Sequence, residues 1–140
     1  MVNNKILSHF KDDPPTEWSD AGRRIGAGLL YPVEEIIRLL SNSDVIRAST
    51  EKCRNDIQAL ELDNEELARL IKNAVTGGRY RKSVWCRLSA KAIAACDDYV
   101  VIDKTWVEAA HKEIDCEIYL KFAINSNGKL LLMVSCHLST

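Results

Sequence analysis

The sequence lacks a long apolar run, a paired-cysteine motif and an excess of charge of either sign, and each absence excludes a class of protein. Its longest apolar run is Leu130 to Val134, whereas a membrane-spanning helix needs about 18 such residues. The first residues, MVNNKILSHFKDDPP, contain no apolar segment of signal-peptide length, so we expect a cytoplasmic protein. A net charge of −1 gives no global sign of nucleic-acid or membrane binding. Any basic surface must therefore be local.

The cysteines are five in number, and no two of them form a C-x-x-C pair. They are Cys53, Cys86, Cys96, Cys116 and Cys136. Structural zinc sites usually present such close ligand pairs, so we expect no metal and no other cofactor. In a reducing cytosol, these side chains are expected to be free, partly buried thiols.

The stretch GGRYRKSVWC, residues 77–86, combines two glycines with cationic side chains and a Lys-Ser pair. A nucleotide-binding P-loop has the pattern G-x-x-x-x-G-K-[ST], because its glycines let backbone N–H groups surround the phosphate oxygens. Counted back from Lys82 and Ser83, the two glycine positions hold Arg81 and Thr76. The stretch is therefore not a P-loop. It is left as an RNA-binding strand or as the charged edge of a sheet.

Composition and length indicate one globular domain. Hydrophobic residues are 46% and charged residues 28% of the 140, which is ordinary for a folded protein of single-domain size. Residues 1–28 mix prolines, charges and glycines without a sustained period, which predicts an irregular N-terminal extension fixed in part by Trp18. Residues 29–140 are expected to form the single domain.

Three helices are predicted between residues 31 and 78. The first begins at Pro32, and its apolar stripe is Val33, Ile36, Ile37 and Leu40. A short strand over residues 45–49 and a helix over residues 51–60 follow. The last helix has the clearest limits, because Asp63 and Glu66 form a capping box at its start and two glycines end it.

After the glycines the apolar period changes to two, which predicts a strand over residues 80–88. Residues 89–101 are ambiguous, since AKAIAAC fits a helix and DYVVI fits a strand. Residues 103–115 fit a short helix or a loop. The segments EIYLKFAI and LLLMVSCH alternate like strands and flank the turn signal NSNGK, which predicts a hairpin over residues 117–138. Helices packed on a mostly antiparallel sheet that ends in a hairpin define an α+β fold.

The number of residues in the hairpin connection decides which way His137 points. An odd number places it with Tyr119 and Lys121 on one polar face of the sheet, whereas an even number turns it to the apolar face. We expect an odd number. This register is unfavourable in one respect, because it leaves Leu131 and Met133 on the polar face.

The segment from Thr76 to Lys91 contains five cationic side chains and no acidic one. Lys82 is one of these five cations. With Tyr119 and His137 on the same face as Lys82, these side chains suit metal-free RNA cleavage. A base takes the proton of a ribose 2′-hydroxyl, an acid protonates the leaving 5′-oxygen, and cations stabilise the phosphorane. Plainer interpretations stay open, since a lone histidine is often a surface residue and the lysine fits a charged sheet edge.

The order of these pieces resembles the MqsR family, bacterial toxins of the RelE-like ribonuclease fold. The matching segments, over about residues 31–138, are VEEIIRLL, DVIRAS, ALELDNEELARLI, YRKS, YLKF and VSCH. The resemblance implies an mRNA interferase, a toxin-type endoribonuclease that cleaves single-stranded RNA, including ribosome-associated mRNA, without a metal. It also implies growth arrest and a cognate antitoxin protein that neutralises the toxin.

The family's catalytic lysine falls on Lys82 and its catalytic tyrosine on Tyr119, while its second functional lysine falls on His137. From the cationic strand and the hairpin we also expect RNA contacts from Arg79, Arg81, Arg87 and Lys121. The match departs from the family in ACDDY, where Cys96 stands in place of a functional glutamine. The N-terminal extension and roughly ten residues inserted between Tyr99 and Tyr119 are also foreign to the pattern.

A protein of another class fits the same scaffold. It is a non-catalytic protein-binding module, such as a degenerate toxin or a phage-borne or host-directed inhibitor. The missing glutamine, the extension and the near-neutral charge favour it. A ribonuclease needs Lys82, Tyr119 and His137 convergent and open to solvent, whereas a binding module tolerates them scattered.

Overall fold

The computed structural model describes residues 4–107 and 112–138, with only the backbone of residues 104–107 and 112–114. The described chain is an α+β protein with four α-helices and a seven-stranded, mostly antiparallel sheet. The helices are α1 (Asp20–Arg23), α2 (Val33–Leu39), α3 (Glu51–Ala59) and α4 (Asn64–Gly77). The strands are β1 (Lys5–Ile6), β2 (Arg24–Ile25), β3 (Ile46–Ala48), β4 (Arg79–Ser89), β5 (Ala92–Val107), β6 (Lys112–Ile124) and β7 (Leu131–Leu138).

The strands lie in the order β2-β4-β5-β6-β7-β3, with β1 paired to β5. All pairs are antiparallel except β3 with β7 and β1 with β5. The four long strands β4 to β7 are consecutive in the chain and adjacent in the sheet. They form the platform on which the candidate site is built.

The three helices predicted between residues 31 and 78 are confirmed, as α2, α3 and α4. The contacts of α4 show why its limits could be predicted from the sequence. The Asp63 carboxylate accepts the Glu66 backbone N–H at 2.8 Å, and the Glu66 carboxylate accepts the Asp63 N–H at 3.2 Å. At the other end, a Cβ atom on Gly78 would lie 2.7 Å from the carbonyl oxygens of both Ala74 and Val100. Only glycine permits the chain to pass so close to β5.

The ambiguous segment 89–101 is strand apart from a turn at residues 90 and 91, and the prediction of a short helix or loop over residues 103–115 is wrong for 103–107 and 112–115, whereas residues 108–111 lie outside the described part of the chain. Residues 92–107 and 112–124 pair with each other from Asp97 and Phe122 out to Val107 and Lys112. The inner half of β5 is buried on both faces, so it shows no alternation of apolar and polar residues. Tertiary burial here overrides the helix propensity of alanine.

The core formed by the described residues has two parts. The larger part joins α2, α3 and α4 to β5, β6 and β7 and includes Leu70, Ile71, Leu120 and Phe122. The smaller part surrounds Trp85 and Ile93 and is covered by side chains of the N-terminal segment. That segment, predicted as an extension, supplies β1 and β2 to the same sheet.

The C-terminal hairpin forms as predicted, but its register arises differently. Ile124 pairs with Leu131, so six residues, 125–130, connect the arms, and the prediction of an odd-length turn is wrong. A β-bulge at Val134 then shifts the pairing by one residue, from Phe122 with Met133 to Lys121 with Ser135. Tyr119 is therefore opposite His137, as predicted. Leu131 and Met133 are fully buried, so the unfavourable feature of the predicted register is absent.

Candidate active site

The candidate site is built on one row of cross-strand neighbours. Lys82 of β4 is opposite Asp98 of β5, which is opposite Lys121 of β6, which is opposite Ser135 of β7. Side chains that face one another across a sheet share a face. We call this side, away from Leu120 and Phe122, the open face.

A second β-bulge, at Arg81, brings one more cation to the open face. Tyr80 pairs with Tyr99 and Lys82 with Asp98, so Arg81 is the extra residue of β4. The bulge turns Tyr80 toward Tyr99, with ring centroids 5.7 Å apart, and leaves Arg81 and Lys82 on the open face. Bulges of this kind redirect side chains next to functional sites.

These side chains surround a cavity of about 370 Å³, which we call the basic pocket. Its lining residues are Arg81, Lys82, Asp98, Tyr119, Leu120, Lys121, Ser135 and His137. All three predicted catalytic residues and two of the four predicted RNA-binding residues therefore line one cavity. Lys82, Tyr119, Lys121 and His137 are partly exposed, so solvent reaches the pocket.

The Tyr119 ring contacts two other side chains of the basic pocket, Arg81 and His137. The Arg81 guanidinium carbon lies 4.8 Å from the ring centroid, within the range of a cation–π contact. The His137 ring lies 5.6 Å away at 49°. The Tyr119 hydroxyl donates to the Glu117 carboxylate at 3.2 Å. In this structure the hydroxyl is therefore engaged by Glu117, and the aromatic ring contacts Arg81 and His137.

His137 has one ring nitrogen in use and one left over. Its Nδ1 lies 3.1 Å from the carbonyl oxygen of Leu138. A carbonyl only accepts hydrogen bonds, so in the neutral ring Nδ1 carries the proton and Nε2 is the acceptor. That tautomer leaves Nε2 as an acceptor, to which no residue in the described part of the chain donates a hydrogen bond.

Two predicted RNA-binding arginines lie outside the basic pocket. Arg87 stacks on Trp18, with its guanidinium carbon 4.2 Å from the ring centroid, and so holds the N-terminal segment against β4. Arg79 lines a separate groove of about 550 Å³ between the end of α4 and β5, together with Glu117 and Ile102. The number of cations along β4 does not show which of them reach the basic pocket. The bulge at Arg81 and the contact of Arg87 with the N-terminal segment determine where each cation lies.

Cys96, one of the positions at which the sequence departs from the MqsR pattern, is inaccessible to a ligand in this structure. Its side chain is fully buried, and burial raises the pKa of its thiol. Burial likewise raises the pKa of Cys53 to about 11 and that of Cys136 to about 12, so both stay protonated at neutral pH. All five cysteines are free thiols.

Asp98 is the site residue that was missed. Its carboxylate is 6% exposed and lies 3.7 Å from the Arg81 guanidinium. A signal was present, since Asp97 and Asp98 interrupt an apolar strand, and carboxylates are rarely buried without a partner.

Comparisons with protein-family models, with curated proteins and with solved structures give no match to this chain. In residues 4–107 and 112–138, no helix is both long and apolar enough to cross a bilayer. Nor does this part of the chain bring three or more His, Cys, Asp or Glu side chains together as a metal site.

Proposed function

We propose that this chain is a toxin-type endoribonuclease of the RelE/MqsR-like kind, which cleaves single-stranded RNA by acid/base chemistry without a metal. One observation supports it above the others. Lys82, Tyr119 and His137, named from separate sequence motifs, line one solvent-accessible pocket that also contains Arg81 and Lys121. A scattered arrangement would have favoured the non-catalytic binding module.

The pocket contains the groups that this reaction needs. His137 takes the proton from the ribose 2′-hydroxyl through Nε2, and the 2′-oxygen then bonds to phosphorus. The P–O5′ bond breaks, and the ammonium group of Lys82 or Lys121 donates a proton to the leaving 5′-oxygen, while His137 keeps the proton taken from the 2′-hydroxyl. Lys82 and Lys121, on either side of Asp98, offset the charge of the phosphorane. The products are a 2′,3′-cyclic phosphate and a 5′-hydroxyl.

Tyr119 contributes its ring in this proposal. Its hydroxyl is hydrogen-bonded to Glu117, and the face of its ring contacts the Arg81 guanidinium. Through this second contact the ring holds the cation toward the phosphate. A cognate antitoxin that covers the open face would block RNA and restrain growth arrest. The proposed setting is the cytoplasm.

The test is incubation of the purified protein with long RNA in EDTA, followed by mapping of the ends. We expect cleavage that leaves cyclic phosphate and 5′-hydroxyl ends. Lys82→Ala should lower the rate roughly 10²–10³-fold, as when one preorganised stabiliser of developing charge is removed. His137→Ala should lower it roughly 10²–10⁴-fold, the contribution of one positioned proton-transfer group.

Lys129→Ala is the matched control, because Lys129 is an exposed lysine in the turn between β6 and β7. It should cleave like wild type. If wild-type protein freed of any antitoxin cuts no RNA, or if both pocket variants cut as well as wild type, the ribonuclease proposal is wrong. The basic pocket is then a docking surface of the non-catalytic alternative.

A further inference from the structure

Among the described residues, Asp98 is the only acidic side chain that lines the basic pocket. An acid at the base of an anion-binding site needs a physical reason, because its charge repels phosphate. Its formal charge is opposed by Arg81, Lys82 and Lys121, so the four side chains together carry three positive charges and one negative, a net +2. The pocket stays cationic in spite of Asp98.

The position of Asp98 connects it to all three cations. Lys82 is its cross-strand neighbour on one side and Lys121 on the other. Its Oδ1 atom is 3.7 Å from Nη1 of Arg81. No other side chain in the pocket stands directly between the two lysines in the sheet.

Arg81 is the residue that most needs such an anchor. It is the extra residue of a bulge, so the regular pairing of β4 with β5 does not fix its direction. Two contacts restrain the guanidinium, the Asp98 carboxylate and the Tyr119 ring. A cation stabilises a developing charge best when it is already in place before the reaction.

We propose that Asp98 is a positioning residue: its buried carboxylate holds Arg81 against Tyr119 and separates Lys82 from Lys121, so that the three cations are preorganised for the scissile phosphate. This inference rests on the proposed ribonuclease function. Asp98 does not itself exchange protons with RNA. Its carboxylate is almost wholly buried and already has a cationic partner.

The first test is Asp98→Asn, which keeps the shape of the side chain and removes its charge. We expect kcat to fall roughly 10–100-fold, the usual loss when a group that orients a functional side chain is removed. Binding of a 2′-O-methyl RNA, which cannot be cleaved, should be unchanged or tighter, because the pocket loses a negative charge. Asp12→Asn, an exposed acid in the N-terminal segment, is the control and should change neither quantity.

The second test is a double-mutant cycle with Arg81→Ala. If Asp98 acts through Arg81, the double variant should be no slower than Arg81→Ala alone by more than about twofold, because coupled residues give non-additive effects. Fully additive losses would overturn the proposal. So would an unchanged kcat in Asp98→Asn, or weaker RNA binding by a folded Asp98→Asn protein.

The third test needs no cleavage, and it separates this inference from the proposed function. The Nε–H signal of Arg81 in ¹⁵N NMR spectra of the free protein should be distinct in wild type and should move to the position of a mobile arginine in Asp98→Asn. If wild type cuts no RNA but the signal moves, the ribonuclease proposal fails and the positioning of Arg81 stands. If wild type cuts RNA and the signal does not move, the positioning role is wrong.

Discussion

Asp97 and Asp98 are neighbours in β5, so their carboxylates lie on opposite faces of the sheet. Asp98 lies in the basic pocket, whereas Asp97 is fully buried on the helix side. The Asp97 carboxylate accepts hydrogen bonds from the Tyr31 N–H at 3.0 Å, the Leu30 N–H at 3.1 Å and the Ser83 hydroxyl at 2.6 Å. It thereby joins the segment before α2 to the centre of the sheet, beneath Lys82.

This burial predicts a contribution to stability that is lost as the pH rises. Desolvation raises the pKa of the Asp97 carboxyl above its ordinary value of 3.8, and the hydrogen bonds from Ser83, Tyr31 and Leu30 oppose that rise. The folded state therefore binds this proton more tightly than the unfolded state. Stability from this source is fully present below the ordinary pKa and is lost as the pH rises through the raised pKa.

The measurement is urea denaturation of wild type and Asp97→Asn across the acidic range. Asparagine does not titrate, and the other groups are common to both proteins. We expect the free energy of unfolding of wild type, minus that of the variant, to fall as the pH rises through the raised pKa. A difference that grows with pH would contradict the raised pKa of Asp97.

At the scale of the element, the junction between α4 and β4 depends on one glycine. A Cβ on Gly78 meets two carbonyl oxygens at 2.7 Å, whereas a Cβ on Gly77 meets nothing within 4 Å. Gly78→Ala should therefore destabilise the protein by about 2–3 kcal/mol, the cost of forcing an atom into a packed site. Gly77→Ala, its matched control, should be neutral or stabilising by up to about 1 kcal/mol, since alanine favours a helix more than glycine does.

Thermal or urea denaturation of the two variants provides the comparison. Because α4 leads directly into the strand that carries Arg81 and Lys82, Gly78→Ala should also lower the proposed RNA cleavage, whereas Gly77→Ala should not. Equal stability of the two variants would show that the contact of Gly78 with β5 is not tight.

The elements differ in how far their sequences reveal them. The capping box, the paired glycines and the period of two in the hairpin are local signals, and they predicted α4, β4, β6 and β7. The two bulges leave no such signal, because a bulge is decided by which side chains the rest of the protein buries. That Tyr119 and His137 share one face was predicted correctly by a wrong route, since the bulge at Val134 has the effect assigned to an odd turn. The place of Asp98 in the basic pocket and the contact of Arg87 with Trp18 could be seen only in the tertiary structure.

At the scale of the whole molecule, the N-terminal segment is part of the core. The side chains of Ile6, Phe10, Trp18 and Ile25 pack against the buried Trp85 and Ile93. Its mixed composition predicted an irregular extension, and much of it is irregular, but its few apolar residues are the ones that cover the sheet. A period of two or of 3.6 cannot reveal residues that pack from a coil.

Removal of residues 1–28 should therefore leave a chain that does not fold cooperatively. Uncovering each large apolar side chain costs roughly 1.5–3 kcal/mol, and a domain of this size has only about 5–15 kcal/mol in total. Trp18→Ala should fold with a lower melting temperature, because it loses one contact with Trp85's cluster and its stacking on Arg87. Circular dichroism melts and binding of a hydrophobic dye distinguish the truncated chain from Trp18→Ala. A truncated chain that melts like wild type would contradict the role of the N-terminal segment in the core.

The bulge at Val134 also determines which changes of length the hairpin tolerates. A connection of six residues and a single bulge each move the pairing by one position, and their effects cancel at His137. Insertion of one residue into β7, between Leu131 and His137, would turn His137 to the other face of the sheet unless the bulge were lost at the same time. Insertion of two residues there would return it to the face of Tyr119. Residues added to the connection are absorbed by the loop, so single changes of length are compatible with the basic pocket in the connection but not in β7.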